Sequence, residues 1–319
     1  MTVDSLLLNQ TIDQIPFNNG RFHHSGKVRE SFVLDEPRRA IVVTDRVSAF
    51  DFNLGTIPHK GAVLNGVAAW WFNQLSAIEV PHHLIDTPHP NISVVRNAKP
   101  LPIEIVVRGY LTGSTTTSSW YAYQNHGRKI CGLEMPEGMK KNEIFPEPIL
   151  TPTTKPEEGH DRNISKEEIL EEGLVSQEIY ARAEDYAFRM FALGQQLAAE
   201  KGLILVDTKY EMGLTAEGQL IVIDEIHTPD SSRFWIADSY QERLAAGQEP
   251  QSLDKEFVRS MLVAAGYEVD NEKQNPKNFM TDDLRLQAAE KYLALYKKIT
   301  GLELDLEARE DLLACLGRL

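Results

Sequence analysis

Apolar and polar positions alternate most clearly between Gly202 and Met212. An apolar run, Leu203 to Val206, gives way to Asp207, Lys209 and Glu211 interleaved with Thr208, Tyr210 and Met212. Strand side chains repeat every two residues, so this pattern predicts one strand with the three charges on a common face. Residues 216–219 supply a turn, and Leu220 to Ile223 reads as a returning strand that brings Asp224 within reach of that face. Further strands are predicted over 40–45 and after Pro100 and Pro102, where Glu104, Val106 and Arg108 share a face by the same period. Helical spacing of Val63, Val67, Trp70, Trp71 and Leu75 predicts a helix over 62–77. It recurs in Ile179, Ala183, Tyr186, Ala187, Met190, Phe191 and Leu197, between a Ser176 cap and a Lys201-Gly202 stop. Ser165 with Glu168 forms a capping box. Later helices are predicted from Ser252, from Thr281 and over 305–316, and they read as packing elements.

Composition narrows the classes. A chain of 319 residues is long enough for two domains with separate cores. Its net charge of −14 argues against nucleic acid as a partner, which needs a basic footprint, while leaving room for an anionic small substrate in a local basic pocket. Cys131 and Cys315 have neither metal spacing nor a disulfide framework, which suits a reducing cytoplasm. Leu6-Leu7-Leu8 is too short for a signal segment, and no apolar run approaches a membrane span. The expectation is a soluble cytoplasmic protein without a membrane partner. His82, His83 and His89 lie among prolines with no matching acid or cysteine, and read as a solvated loop.

Charge then singles out candidate chemistry. Carboxylates and a lysine gathered on one sheet face are costly to bury unless something offsets them. Mg²⁺ with phosphate oxygens would do so, since that ion favours one or two protein carboxylates plus substrate phosphates. A solvated strand face with local ion pairs is the competing reading. Gly26, Lys27 and Arg29 precede a strand and suggest a hairpin closing over an anion, though for so short a motif taken alone a plain surface hairpin is the commoner case. His59 and Lys60, at the edge of the first helix, are open between anion contact and capping. The stretch from Pro100 to Ser114 reads as a hinge with backbone groups available to an adenine edge, or as a sheet edge carrying Arg108. Lys155, His160 and Asp161 sit in a long polar loop of the kind that forms lids. Lys255 and Arg259, four apart, share a helix face.

Taken in order, five segments resemble one family. They are Gly26-Lys27-Val28-Arg29-Glu30; Glu104 to Arg108 with Thr112-Gly113-Ser114; Lys155 with His160-Asp161; Asp207 to Gly213; and Asp224 to Arg233 with Lys255 and Arg259. The ordered set is similar to the phosphoribosylaminoimidazole-succinocarboxamide synthase (SAICAR synthetase) family, in its longer yeast-type and bacterial form.

The resemblance implies a two-lobed α+β fold. A β-rich, kinase-like nucleotide-binding lobe would span 1–113, a larger catalytic lobe with the C-terminal helices 114–319, and ATP would lie between them. It implies ligation of L-aspartate to the carboxylate of CAIR, a carboxylated aminoimidazole ribonucleotide, giving SAICAR, ADP and phosphate through a phosphorylated intermediate. Lys209, Glu211, Asp224 and Lys155 would act in catalysis, with Glu211 and Asp224 holding Mg²⁺. Gly26, Lys27, Arg29, Pro100 and Glu104, with the same two acids, would bind ATP. Arg108, Ser114, His160, Asp161, Asp207, Lys209, Asp230, Arg233, Lys255 and Arg259 would bind the substrates. A monomer or small homo-oligomer is expected. The competing functions are a small-molecule kinase on a related lobe and a non-catalytic nucleotide-binding protein.

Overall fold

The computed structural model describes residues 8–17, 23–49, 52–155, 161–253, 256–268, 271, 273–305 and 311–319. The chain begins with β1 (His23–Ser25), β2 (Arg29–Val33), β3 (Arg38–Val43), β4 (Arg46–Ala49) and β5 (Phe52–Thr56), then α1 (Lys60–Gln74), β6 (Leu84–His89) and β7 (Ile92–Arg96). Next come β8 (Lys99–Pro100), β9 (Ile103–Tyr110), α2 (Ser119–Asn125), β10 (Lys129–Ile130), β11 (Leu133–Glu134), β12 (Ile144–Leu150) and β13 (Thr153–Thr154). They are followed by α3 (Lys166–Glu171), α4 (Gln177–Glu200), β14 (Leu203–Leu214), β15 (Leu220–Ile223), β16 (Ser232–Ile236) and α5 (Ala237–Ala245). α6 (Glu256–Ala264), α7 (Asp282–Thr300) and α8 (Leu312–Arg318) complete the described helices. The α+β class is as expected.

Two compact units result: the described residues of Met1–Asn73, His83–Asn97 and Lys255–Leu319, and those of Gln74–His82 and Ala98–Asp254. They do not follow a single cut after residue 113. β9 pairs along β14, which ties 103–110 to the second unit, and Cys315 and Leu316 of α8 close the core of the first.

In the first unit, five antiparallel strands run in the order β1-β2-β3-β7-β6. Every second residue faces the core: Phe32 and Leu34, Ala40 and Val42, Ile92 and Val94. The first helix starts at Lys60 and passes at Leu75 into a short 3-10 turn that Glu79 ends at a φ of 50°. It is not a one-sided stripe. Asn65, Ala68 and Phe72 are buried as well as Val63, Val67 and Trp71, because the helix is covered on several sides. Its Gly61 lies so close under β3 that an added Cβ would stand 2.3 Å from the Val43 carbonyl oxygen.

In the second unit, β14 is the centre of a seven-stranded sheet of order β12-β9-β14-β15, with β13 on β9 and both β8 and β16 on β14. Asp207 pairs with Arg108 on one edge and Arg233 on the other, and Gly213 with Pro100 and Ile221, so β14 is hydrogen-bonded on both sides. α4 packs on this sheet through Ala183, Ala187, Met190, Phe191 and Gly194, the face its spacing predicts. Its Ser176 accepts from the Ile179 amide, and Ser165 and Glu168 complete a capping box on α3.

Gly61 supplies a stability test. Alanine is the better helix former by about 1 kcal/mol, so an unconstrained helix would gain from Gly61→Ala. Here the methyl meets backbone, which cannot step aside. The variant is expected to lose about 1–3 kcal/mol in denaturant unfolding instead, the usual range for overpacking a tight site.

Candidate active site

The alternation along β14 places Asp207, Lys209 and Glu211 on one face, and antiparallel register lines up their partners. Asp207 lies opposite both Arg108 and Arg233, Lys209 opposite Val106, and Glu211 opposite Ile223. Opposed residues in such a ladder share a face. Asp207 Oδ2 accepts from Arg233 Nη1 at 2.5 Å and lies 3.7 Å from Arg108 Nη1. One step along, Lys209 Nζ donates to Glu104 Oε1 at 2.6 Å and to Glu211 Oε1 at 2.5 Å. Lys155 Nζ donates to the other Glu211 oxygen. Thr153, opposite Glu104, donates its hydroxyl to Glu104 Oε2 at 3.1 Å, and Arg108 Nε donates to Thr151 Oγ1 at 2.7 Å.

This face is not solvated. Glu104, Arg108, Asp207 and Glu211 are each under a tenth exposed. Lysines and arginines therefore offset the carboxylates directly, where sequence reasoning invoked a metal for that purpose. Burial alone would raise the Glu211 pKa, but the ammonium groups of Lys209 and Lys155 outweigh it and hold the carboxyl at about 2. Burial works against the charge of Lys209 too, and Glu211, Glu104 and Asp224 together push its pKa above the ordinary lysine value. Glu104 moves the other way. Burial exceeds the pull of Lys209, with Glu211 and Asp161 adding repulsion, so its pKa is raised. Arg108 is lowered by burial and Arg233, against the pull of Asp207. Lys209 is thus a fixed cation flanked by one firmly ionised carboxylate and one that takes up a proton more readily.

Asp224 reaches this group through an unusual backbone. Simple continuation of β15 would turn it to the face opposite Ile223 and Glu211. Its φ of 64° ends the strand instead, a left-handed turn that Asp tolerates better than most residues. Its charge is felt at Lys209. Two buried devices hold the chain that follows. Tyr210, on the back of β14, shares a 2.6 Å hydrogen bond with His227 Nε2, and burial keeps that imidazole neutral by lowering its pKa to about 3. Thr228 donates to Glu225 Oε2 at 2.5 Å, and its oxygens accept from Asp230 and Ser231 amides. Asp230 itself is half-buried in that turn.

Other expected residues take several positions. Ser114 is exposed in the turn after β9, where a Cβ on neighbouring Gly113 would stand 3.3 Å from Arg233 Nη2. Arg108 turns to Thr151 and the Thr117 carbonyl. Pro100 lies on β8 against Gly213. The nearby backbone is engaged, since Leu101 donates to the Met212 carbonyl and Pro102 accepts from Lys155. The supposed free edge for an adenine is therefore closed at those two groups. Asp161 is exposed yet close enough to Glu104 to be felt there. Gly26, Lys27 and Arg29 form the β1–β2 turn of the first unit, and Arg259 lies on α6 in that unit. His160 and Lys255 lie outside the described residues.

Sequence reading missed Thr151, Thr153, Tyr210 and His227. Thr151, Thr153 and Lys155 alternate, a strand signal hidden by Pro152 and Pro156, which make the segment read as irregular. Nothing local marked Tyr210 or His227.

Comparison with known proteins identifies the family. The SAICAR synthetase family model matches residues 22–276. A phosphoribosylaminoimidazole-succinocarboxamide synthase of Legionella pneumophila (strain Lens) is 45% identical over 291 residues, covering 91% of this chain and 90% of the relative. One from Bacteroides fragilis is 45% identical over 296 residues, covering 92% and 91%. Among solved structures, the Saccharomyces cerevisiae SAICAR synthase complexed with SAICAR superposes with a TM-score of 0.78 at 32% identity, covering 92% of this chain and all of that one. With its matched length and its strand-borne charges, the chain belongs to the SAICAR synthetase family.

Proposed function

We propose that this protein joins L-aspartate to the carboxylate of CAIR, using ATP and Mg²⁺ and releasing SAICAR, ADP and phosphate, as a cytoplasmic enzyme of purine synthesis. The observation that carries the reading is the buried face of β14, where Lys209 is held cationic between Glu104 and Glu211 beside the doubly paired Asp207. A carboxylate is a poor acyl donor, because an amine must attack an anion and expel oxide. Phosphorylation turns that oxygen into a leaving group. Transfer of a phosphoryl group asks a protein for positioning and charge neutralisation more than for covalent help. Lys209 and Lys155 supply fixed positive charge where the CAIR carboxylate meets the terminal phosphate. Arg108 and Arg233 suit the sugar phosphate, since guanidinium forks match phosphate oxygens in pairs. Ser114, Asp161, Asp207, Asp230 and, from the first unit, Arg259 complete the assigned substrate set, and the Gly26–Arg29 turn, Pro100 and Glu104 the nucleotide set.

The acids suit a metal of one kind. Glu211 and Asp224 are hard oxygen donors, and Glu211 is ionised far below neutral pH. Among the described residues no group of three acids, histidines or cysteines could cage an ion unaided. That favours Mg²⁺, which takes one or two carboxylates and completes its octahedron with phosphate oxygens and water. When bound it would neutralise charge on the phosphates. Placement in the cytoplasm rests on Cys131 and Cys315 being thiols rather than a disulfide. No described helix is long and apolar enough to cross a membrane.

The decisive assay incubates the protein with ATP, Mg²⁺, CAIR and aspartate and follows products by mass. Phosphate release is expected only when CAIR and aspartate are both present; ADP formed with a stably phosphorylated product and no free phosphate would indicate a kinase.

Asp224→Asn keeps a residue that tolerates the left-handed turn but removes the charge. It is expected to abolish turnover while leaving the thermal midpoint nearly unchanged, and near-normal ligation would remove Asp224 from the metal role. Arg233→Ala should raise the dissociation constant of CAIR by the loss of a charge-assisted contact, about 1.5–3 kcal/mol. An unaltered constant takes Arg233 out of the phosphate site.

The apo protein carries a pH signature as well. Glu211 titrates at about 2 when folded against an ordinary 4.5, so its pairing stabilises the fold above the ordinary value and is lost as pH falls through the lower one. Glu211→Gln should accordingly unfold more easily than wild type at pH 6. The gap between the two should close between pH 4.5 and 2, which denaturant titrations across that window would reveal.

A further inference from the structure

Outside the residues assigned so far, one buried guanidinium has an unusually complete set of partners. Arg46, at the start of β4, is 7% exposed. Its Nε donates to the Lys27 carbonyl at 3.0 Å and its Nη2 to the Gly26 carbonyl at 2.9 Å. Nη1 donates to Glu30 Oε1 at 2.7 Å and to the Asp13 carbonyl at 2.6 Å. Glu30 also accepts from the Ser25 hydroxyl across the hairpin, at 2.9 Å.

The two preceding residues extend the bracket. Thr44 donates both its amide, at 3.0 Å, and its hydroxyl, at 2.8 Å, to the Val28 carbonyl. Asp45 accepts from the Gly61 amide at the start of α1 and from the Ile12 amide. Every carbonyl of the turn from Gly26 to Val28 is therefore held by a donor from Thr44 or Arg46. Carbonyl oxygens repel an approaching anion, whereas backbone N–H groups and lysine attract it. A turn whose carbonyls are all drawn inward, with Lys27 exposed, is set up to receive anionic oxygens on its outer side.

We propose that Arg46 is a positioning residue for nucleotide binding: by holding the Gly26 and Lys27 carbonyls and Glu30, it fixes the turn in the form that accepts the phosphates of ATP. The inference rests on the proposed function, which puts those phosphates at this turn. Only a guanidinium serves, because donors must leave one planar group in three directions at once. A lysine would keep the charge opposite Glu30 and lose the fork.

The test titrates the full chain, as wild type, Arg46→Lys and Lys27→Ala, with a non-hydrolysable ATP analogue plus Mg²⁺ in a calorimeter. KM for each substrate and the thermal midpoint are measured alongside. Arg46→Lys is expected to fold, to bind the analogue at least about tenfold more weakly, and to raise KM for ATP in step. KM for CAIR and for aspartate should stay within about twofold. Equal rises in every KM, or a lowered midpoint with unchanged analogue affinity, would make Arg46 merely structural and overturn the proposal. If Arg46→Lys does not fold, the double variant Arg46→Met with Glu30→Gln removes both buried charges together and is judged by the same criteria. Weaker binding by Lys27→Ala with normal binding by Arg46→Lys defeats the Arg46 inference alone. Normal binding by both takes the phosphates away from this turn, and the nucleotide placement falls with it.

Discussion

Buried charge must find opposite charge, and in this protein β-sheet register satisfies that demand. Asp207 sits across from an arginine on each side because β9 and β16 both pair with β14 at that residue. Lys209 reaches Glu104 and Glu211 because they lie on the same face of adjoining strands. A slip of one residue would turn every one of these side chains to the other face and leave β9 and β14 with unpaired charges in the interior. The apolar residues beyond Asp207 work to the same end. Val206 joins Tyr110, Trp235 and Tyr240 in a core cluster that tolerates no such slip. Chemistry and register are thus locked to one another.

The same rule is used in the first unit for a different purpose. There a single guanidinium, Arg46, satisfies a buried carboxylate and three carbonyls, and the object held is a turn rather than a strand. Breaking one partner of such a pair strands the other in a dry environment, which costs far more than a surface pair returns. Rigidity would serve a turn proposed to receive phosphates. A loop already in its binding form loses less conformational freedom when the ligand arrives.

How much of this could be read from residues alone depends on the range of the interaction. The face of Asp207, Lys209 and Glu211 was legible, since period-two alternation is local and needs no knowledge of neighbours. Their burial was not, because it comes from β9, β13 and β16, which are distant in sequence. The metal was accordingly invoked to do what Lys155 and Lys209 do themselves. The first helix was visible in its spacing but not in its coverage, since Gly61 and Gly66 reveal close approach only once β3 and Tyr296 are in place. Arg46 carries no local signal. Its importance lies in carbonyls contributed by another hairpin, and a carbonyl is the same in every residue. The division into units failed to follow chain order for a related reason, as the C-terminal α8 completes the first sheet's core.

The balance of charge also bears on why such a site can exist without ligand. A cleft with acids alone would bind a divalent ion strongly and fold poorly without it, because the acids would repel one another. Here both Glu211 oxygens are already met by ammonium groups, and Asp224 stabilises the same lysine. On the proposed reading, Mg²⁺ would offset about half the charge of a triphosphate, and Lys209 and Lys155 would find further anionic partners in its phosphates. On the proposed reading such a site would favour metal and nucleotide together over either alone, the selectivity phosphoryl transfer needs.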